Sequence, residues 1–204
     1  MLFFMIGLIG YLFGCINGSQ IIGKYKDVNI KSKGMRNPGA SNTLILLGWK
    51  YGLVVALIDV LKAIISMTFT FYIIQGMHLL PEAALTIVLI NGLFVIVGHN
   101  YPVNMNFKGG KGTASFVGVL LVIDWRFALV SMALFILVTI TTDYFVVGTL
   151  FMYLAFIIFT AYNLGVKPSL VALLYCGLFF LKHIENFKRM AIKKEARFST
   201  HIRN

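Results

Sequence analysis

Apolar runs of about 20 residues constrain this chain most, because that length crosses the hydrocarbon core of a bilayer as an α-helix. The clearest runs are 1–23, 51–74, 83–98 and 144–162. The chain is 59% hydrophobic and 12% charged, whereas a typical soluble domain is about 25% charged. We therefore expect lipid, rather than water, to solvate most of the chain.

A longer apolar stretch, 113–141, exceeds one ordinary span and is interrupted at 124–126 by Asp, Trp and Arg. It is predicted to form two shorter helices joined by a tight turn, and a last run ends at Leu181. The pattern predicts an all-α integral membrane protein of about seven transmembrane helices in a single domain, 1–204. The first run has no basic leader and is interpreted as a retained span.

Basic residues set the expected orientation. The chain has 18 Lys and Arg against 7 Asp and Glu, a net charge of +11. If the N-terminus is outside and the C-terminus inside, Arg126 and Lys167 lie outside, Lys62 lies within a span, and every other Lys and Arg is cytoplasmic. Because topology accounts for the excess, the charge does not indicate nucleic-acid binding.

Three cytoplasmic segments carry residues suited to chemistry, and the first is 33–48. The Asn37–Pro38 pair and its flanking glycines predict a turn, and Ser41 and Asn42 are interpreted as the cap of a short helix. Backbone N–H groups at such a helix start suit a phosphate, and Arg36 can add a bidentate contact. An ordinary capped re-entrant helix explains the same pattern.

The second segment, 98–118, contains the stretch FKGGKG at 107–112, which we call the glycine loop, directly before Thr113 and the next apolar run. Backbone amides of such a loop can wrap an anion at a helix start while Lys108 and Lys111 supply positive charge. The opening glycine and closing hydroxyl of a nucleotide-binding P-loop are missing. A flexible basic hairpin is the alternative. The phosphate-binding residues predicted from the first two segments are Arg36, Lys108, Gly109, Gly110, Lys111, Gly112 and Thr113.

The third segment, 182–195, is predicted to continue the last span as a helix. His183 and Asn186 lie three residues apart and share one face, and Glu185 can reach the Lys or Arg at 188–189. A single His near a membrane surface is more often a capping or snorkelling residue than a catalyst. His183 gains weight only because Asn186 and the other two segments are expected on the same side of the membrane.

Polar residues inside the spans are few. Asp59 and Lys62 lie three residues apart, and an ion pair is the expected solution for two charges in hydrocarbon. Asn17, Gln20 and Lys24 are predicted to form one polar face of a continuous first helix.

Taken in order along a short seven-span chain, these segments resemble the bacterial acyl-phosphate-dependent glycerol-3-phosphate acyltransferases over essentially the whole sequence. The resemblance is carried by GHN at 98–100, FKGGKG at 107–112, and DVLK at 59–62. It is also carried by His183, Glu185, Asn186, Lys188 and Arg189, which fit the family pattern H-x-E-N-x-K-R, with Glu195 at the place of a further family acid.

The first segment departs from the family pattern G-S-G-N-x-G-A-T-N. Met35 stands where the family uses a catalytic Ser, and Ile45 stands where it has a functional Arg. Arg36 replaces a family Gly, and we hypothesise that it restores the lost guanidinium from a neighbouring position.

The resemblance implies acyl transfer from acyl phosphate to glycerol 3-phosphate, giving 1-acylglycerol 3-phosphate and phosphate for phospholipid synthesis. It implies a site facing the cytoplasm in a bacterial cell membrane, with membrane lipid around it and with no cofactor, metal, nucleic acid or obligatory protein partner. The implied catalytic residues are Asn37, Ser41, Asn42, His183 and Asn186. The implied supporting residues are Asp59, Lys62, His99, Asn100, Glu185 and Glu195.

Two other functions remain open at this point. A small transporter or anion channel would need a polar path at mid-membrane, for which the spans offer few residues, and no inverted repeat is visible. A divergent, non-catalytic relative is the other alternative, and Met35 and Ile45 keep it open.

Overall fold

The computed structural model describes residues 1–202, and the regular secondary structure of that part of the chain is helical. Its α-helices are α1 (Leu2–Gly14), α2 (Gly18–Tyr25), α3 (Ala40–Leu47), α4 (Trp49–Ile74), α5 (Pro81–Asn100), α6 (Thr113–Ile123), α7 (Trp125–Thr142), α8 (Phe145–Asn163), α9 (Val166–Ala191) and α10 (Ser199–Ile202). Short 3-10 turns follow α4 and α5, at Gln75–Met77 and Val103–Met105.

Six helical stretches are long and apolar enough to cross a membrane: Leu2–Tyr25, Trp49–Met77, Pro81–Met105, Trp125–Thr142, Phe145–Asn163 and Val166–Ala191. The predicted class, an all-α membrane protein, is confirmed. The expected seventh span is the shorter apolar helix α6, with 11 residues. At 1.5 Å per residue it is about 16 Å long, roughly half the hydrocarbon thickness. The described residues therefore contain six full-length candidates rather than seven.

The predicted interruption at 124–126 is present. Helix α6 ends at Ile123 and α7 begins at Trp125. The Asp124 carboxylate accepts hydrogen bonds of 2.8 Å from the backbone N–H groups of Arg126 and Phe127. A side chain that satisfies the first N–H groups of a helix fixes the point where that helix starts.

The first apolar run is not one helix, so the prediction of a continuous polar face through Asn17, Gln20 and Lys24 is wrong. Helix α1 ends at Gly14, and α2 starts at Gly18. Asn17 is extended and caps α2, its Oδ1 accepting from the Gln20 N–H at 3.1 Å and from the Ser19 hydroxyl at 2.7 Å. Asparagine competes in this way with helix continuation because its side chain offers the backbone another partner.

The chain divides into two compact units, the first spanning Met1–Ile123 and the second starting at Asp124. In the first unit, α1 packs along α5 through glycines. A Cβ added at Gly14 would meet the Cα of Gly98 at 2.8 Å, which is closer than van der Waals contact. The small residues thus allow the two backbones to approach closely, as they do in membrane helix pairs generally.

The second unit is built from α7, α8 and α9 around an aromatic core. Tyr153 and Phe179 have ring centroids 5.0 Å apart, and Phe156 and Tyr175 have centroids 5.7 Å apart in an edge-to-face arrangement. All four side chains are buried. Such pairs add packing energy beyond the buried area, and they hold α8 against α9.

Candidate active site

Lys62 is the centre of a buried polar cluster in the first unit. Its Nζ lies 2.9 Å from Asp59 Oδ1 and 2.8 Å from His99 Nδ1. All three side chains are almost fully buried. The predicted ion pair between Asp59 and Lys62 is therefore present, and His99 from α5 joins it, with its Nδ1 3.4 Å from Asp59 Oδ1.

The same cluster satisfies the break between α1 and α2. Lys62 Nζ donates to the carbonyl oxygens of Gly14 at 3.1 Å and Ile16 at 2.7 Å. Asp59 Oδ1 accepts from the Gly18 N–H at 3.5 Å. A cation thus faces the carbonyl end of α1 and a carboxylate faces the N–H end of α2, which is the arrangement that helix dipoles favour.

His99 connects this cluster to the glycine loop. A Cβ added at Gly110 would overlap His99 Nε2 and would lie 2.9 Å from the carbonyl oxygen of Pro38. Only glycine therefore fits between the His99 ring and the first motif segment. The first and second predicted segments meet at this point.

The backbone of the glycine loop is tied to the end of α5. The Gly109 N–H donates to the Asn100 carbonyl and the Gly110 N–H donates to the His99 carbonyl, both at 3.1 Å. These two amides therefore complete the α5 terminus, and the contribution of Gly109 and Gly110 to a phosphate site stays a prediction. The carbonyl groups at the end of α5 need hydrogen-bond donors from outside, because they have no partner within their own helix.

The C-terminal half of the loop leads directly into α6. Thr113 opens α6, as predicted, and the first N–H groups of a helix have no acceptor inside it. Lys111 is partly buried, whereas Lys108 is exposed. The helix start and these two ammonium groups can together neutralise a phosphate.

In the first segment, Asn42 organises the loop and does not cap α3. Its Oδ1 accepts from the Met35 N–H at 2.8 Å, and its Nδ2 donates to the carbonyls of Ile30 at 2.7 Å and Lys33 at 2.9 Å. The cap position of α3 belongs to Gly39, so the prediction of a Ser41–Asn42 cap is wrong. Asn42 can reach these groups because it lies on the buried face of α3.

The other residues of this segment are more open. Ser41 and Arg36 are exposed, and Asn37 is half-buried. Arg36 has a φ of 52°, in the left-handed region. Ile45 lies one helical turn after Ser41 on α3 and is 37% exposed, so the position where the family has Arg is accessible.

A basic cavity of about 510 Å³ in the first unit lies beside this segment. It is lined by Ser19, Gln20, Gly23, Lys24, Asp27, Val28, Asn29, Ile30, Lys31, Lys33, Pro38, Met105 and Asn106. Lys31 Nζ donates to the Met105 carbonyl at 3.0 Å and thereby joins the loop after α2 to the loop after α5. Sequence reasoning assigned these lysines to topology alone, because no local pattern distinguishes a lysine that lines a cavity from one that faces water.

In the second unit, His183 and Asn186 lie on the buried face of α9, near its end. His183 Nδ1 is 2.9 Å from the Phe179 carbonyl, so this nitrogen carries the proton and Nε2 can accept. The ring also stacks on Phe179, with centroids 4.3 Å apart. These two contacts fix the tautomer and orientation of the imidazole.

Glu195 holds Asn186 in place. Its Oε1 accepts from Asn186 Nδ2 at 2.5 Å, and its Oε2 accepts from Arg189 Nε at 2.7 Å. The helix ends at Ala191, before Glu195, so the predicted continuation to 195 is four residues too long. The chain turns back and brings the carboxylate onto α9. The predicted Glu185 pair is formed with Lys188, at 3.5 Å, and is exposed.

A further contact holds the chain that follows Glu195. The Ser199 N–H and hydroxyl donate to the Asp143 carboxylate at 2.7 and 2.9 Å, and the Phe198 N–H donates to the Asp143 carbonyl at 2.9 Å. The Ser199 backbone hydrogen bond lowers the pKa of Asp143 below its ordinary value. We call this contact the tail clasp. Sequence reasoning missed it because Asp143 and Ser199 are far apart along the chain.

The structure thus groups the predicted residues within each unit. Asp59, Lys62, His99, the glycine loop and Pro38 meet in the first unit. Asn186, Arg189 and Glu195 meet in the second, and His183 lies on the same buried face of α9. That the two groups serve one site stays a prediction.

The chain has close relatives among known proteins. Residues 4–193 match a family model described as Glycerol-3-phosphate acyltransferase. Glycerol-3-phosphate acyltransferase 1 of Oceanobacillus iheyensis is 50% identical over 200 residues, covering 98% of this chain and 97% of the relative. Glycerol-3-phosphate acyltransferase of a Thermoanaerobacter species is 31% identical, covering 95% of this chain and 94% of the relative.

Solved structures agree. The crystal structure of PlsY, an integral membrane glycerol 3-phosphate acyltransferase, in its glycerol 3-phosphate form has a TM-score of 0.84 and 28% identity, covering 96% of this chain and 95% of that chain. Its lysophosphatidic acid form has a TM-score of 0.83 with the same coverage and identity. These findings do not favour a transporter or anion channel. The chain belongs to the glycerol-3-phosphate acyltransferase family.

Proposed function

We propose that this protein transfers a fatty acyl group from acyl phosphate to glycerol 3-phosphate, giving 1-acylglycerol 3-phosphate and inorganic phosphate in phospholipid synthesis. The observation that carries the proposal is the family match over residues 4–193, which includes the glycine loop and His183. The solved relative described in a glycerol 3-phosphate form supports the same acceptor here.

The reaction needs electrostatics more than a protein nucleophile. The acceptor hydroxyl attacks the acyl carbon, an ester C–O bond forms, the bond from that carbon to the phosphate oxygen breaks, and the hydroxyl proton passes to the departing phosphate. Acyl phosphate is already an activated donor. Holding the two substrates in line and neutralising the leaving phosphate supply the catalysis that such a step requires.

The glycine loop and the start of α6 are our candidates for one phosphate group. Lys111 and Lys108 bring two ammonium charges, and Thr113 with its neighbours brings backbone N–H groups at the positive end of a helix dipole. Arg36 is exposed on the neighbouring segment and can add a planar bidentate contact.

His183 and Asn186 are our candidates for orienting the reacting groups. With its proton on Nδ1, His183 presents Nε2 as an acceptor for the attacking hydroxyl. The Asn186 amide is fixed by Glu195, so its orientation does not depend on the substrate. Asn37 and Ser41 stay our candidates for substrate contacts, whereas we assign Asn42 to supporting the loop.

The cytoplasmic side is our proposed location for this chemistry. The Lys31 contact to Met105 supports placing the loop after α2 and the loop after α5 on the same side of the membrane. The tail clasp supports placing the α7–α8 turn and the chain after α9 on the same side of the membrane. In the predicted orientation all four segments are cytoplasmic, in a bacterial cell membrane.

The direct test uses purified full-length protein in detergent micelles with palmitoyl phosphate and glycerol 3-phosphate. We expect 1-acylglycerol 3-phosphate and phosphate in equal amounts, and we expect Lys111→Ala to lower kcat/KM at least tenfold. Lys194→Ala is the matched control, because Lys194 is an exposed lysine outside the glycine loop, and it is expected to retain activity.

A divergent, non-catalytic relative is the alternative that Met35 and Ile45 leave open. Absence of acyl transfer from any acyl phosphate, in protein that folds normally, would support it and overturn the proposal. The double variant Met35→Ser with Ile45→Arg then separates two cases. If it gains activity that the natural chain lacks, the fold is competent and the natural chain has lost the chemistry.

A further inference from the structure

We propose that Lys62, acting through Asp59 and His99, is a positioning residue that fixes the glycine loop in its phosphate-binding register. The inference rests on the proposed function and adds to it a role for the buried cluster of Asp59, Lys62 and His99. Lys62 lies within α4, inside a candidate membrane span, and no step of the acyl transfer described above uses it.

The first step concerns the ammonium group. Lys62 Nζ has three protons and four oxygen or nitrogen neighbours between 2.7 and 3.1 Å, on Asp59, Gly14, Ile16 and His99. A group surrounded in this way can hardly change position without losing several contacts. Its location is therefore set by α1, α4 and α5 together.

The second step concerns the His99 ring. Nδ1 is 2.8 Å from Lys62 Nζ and 3.4 Å from Asp59 Oδ1, so both charged groups contact this edge of the ring. The other ring nitrogen, Nε2, faces Gly110. Lys62 and Asp59 together thus fix the position of the His99 ring.

The third step connects the ring to the loop. The Gly110 N–H donates to the His99 carbonyl, and Gly110 also lies so close to the Nε2 edge of the His99 ring that an added Cβ would overlap Nε2. His99 therefore holds Gly110 by its backbone and by its side chain. Lys111 is the next residue, so a shift of the ring displaces the residue we expect to meet phosphate.

A neutral hydrogen-bonded contact between α4 and α5 offers a comparison for the charged cluster of Asp59, Lys62 and His99. Ser66 Oγ donates to Asn91 Oδ1 at 2.9 Å, and Asn91 Nδ2 donates to the Ile6 carbonyl at 3.0 Å. That pair already joins α4, α5 and α1 without a charge. The buried ammonium is costly in such surroundings, and it is placed where α5 meets the glycine loop.

The test compares matched variants of the full-length protein. Asp59→Asn with Lys62→Gln removes both charges at nearly constant volume, so neither is left unpaired. His99→Phe keeps the ring volume but loses the nitrogen that Lys62 contacts. Ser66→Ala is the control, since it removes a buried hydrogen bond between the same helices but none to the glycine loop.

The readouts are thermal midpoint, kcat, KM for glycerol 3-phosphate and for palmitoyl phosphate, and equilibrium binding of glycerol 3-phosphate and inorganic phosphate. We expect both cluster variants to weaken KM or binding for at least one phosphate compound about tenfold or more. We expect Ser66→Ala to lower the midpoint comparably while changing neither KM nor binding more than twofold.

Cluster variants that lower the midpoint but keep both KM values and both binding constants would overturn the inference, and so would a Ser66→Ala variant with equal KM changes. If the cluster variants fail to fold, Lys62→Arg is the substitute, because it keeps the charge and moves the donors; unchanged KM and binding there would also overturn it. An inactive natural chain would overturn the proposed function, and the binding measurements would still decide this inference; a natural chain that binds neither phosphate compound would overturn both.

Discussion

The two regions that carry the motif residues, one in each unit, are held by different means. The glycine loop is held by the helices next to it, through helix-end carbonyls, a close glycine contact and the buried cluster of Asp59, Lys62 and His99. The His183 end is held from the chain outside the last span, by the Glu195 carboxylate and the tail clasp.

The difference has a physical origin. Gly109 and Gly110 have no side chains with which to fix the loop, so the helices that it joins must supply its position. His183 and Asn186 lie on a regular helix, which already sets their spacing, and they need only a partner to fix their rotamers. We therefore expect the first region to be intolerant of added atoms and the second to be sensitive to the loss of hydrogen bonds.

Gly110→Ala is expected to have the largest effect. The added Cβ overlaps His99 Nε2 and approaches the Pro38 carbonyl, so the loop must shift. A displacement of about 1 Å near reacting groups can cost about 100-fold in rate, and we expect a loss of that size in kcat/KM. Gly177→Ala is the matched control, because a Cβ there meets open space. Equal activity of the two variants would break the comparison.

Glu195→Ala comes next and tests the second region. It removes the partner of Asn186 and Arg189, and hydrogen bonds to a charged group are worth about 1.5 to 3 kcal/mol. We expect kcat to fall about tenfold, with Glu195→Gln intermediate. Lys194→Ala serves as control, since it changes an exposed side chain next to Glu195 and outside the predicted site residues. Steady-state kinetics of the three variants decide whether the Glu195 carboxylate orients Asn186.

Asn42→Ala separates support from catalysis in the first segment. The variant leaves one backbone N–H and two carbonyls without their side-chain partner. We expect a loss of about 2 kcal/mol in stability, seen as a lower thermal midpoint together with lower activity. Ser41→Ala, one residue earlier and exposed, is expected to keep its midpoint. If Asn42→Ala lost activity at an unchanged midpoint, Asn42 would be a substrate contact instead.

The smallest effect is expected at the tail clasp. Because the pKa of Asp143 is lowered by its contact with Ser199, the clasp is complete above the ordinary aspartate pKa and is lost as the pH falls through the lowered value. Hydrogen exchange protection of the Phe198 and Ser199 amides is expected to disappear once the pH falls below the lowered Asp143 pKa and, in Asp143→Asn, to weaken already at neutral pH. Protection that is unchanged in the variant would show that the carboxylate charge is unimportant.

The membrane class and the motif positions could be predicted because each rests on a local pattern. Span length, the break at Asp124 and the spacing of His183 and Asn186 involve residues within one or two helical turns. The break at Asn17 was not predicted, because Asn17 lies within a long apolar run and a single capping side chain gives no clear signal there.

What the sequence by itself determined is the all-α membrane class, the family and the three motif segments. Only the tertiary structure decided which atoms of those motifs are already occupied: the Gly109 and Gly110 amides by α5, the Asn42 amide by its own loop, and the Lys62 ammonium by the ends of α1. The reason is that a hydrogen bond is satisfied by whichever group packing brings within 3 Å or so, and for these residues that group comes from elsewhere in the chain.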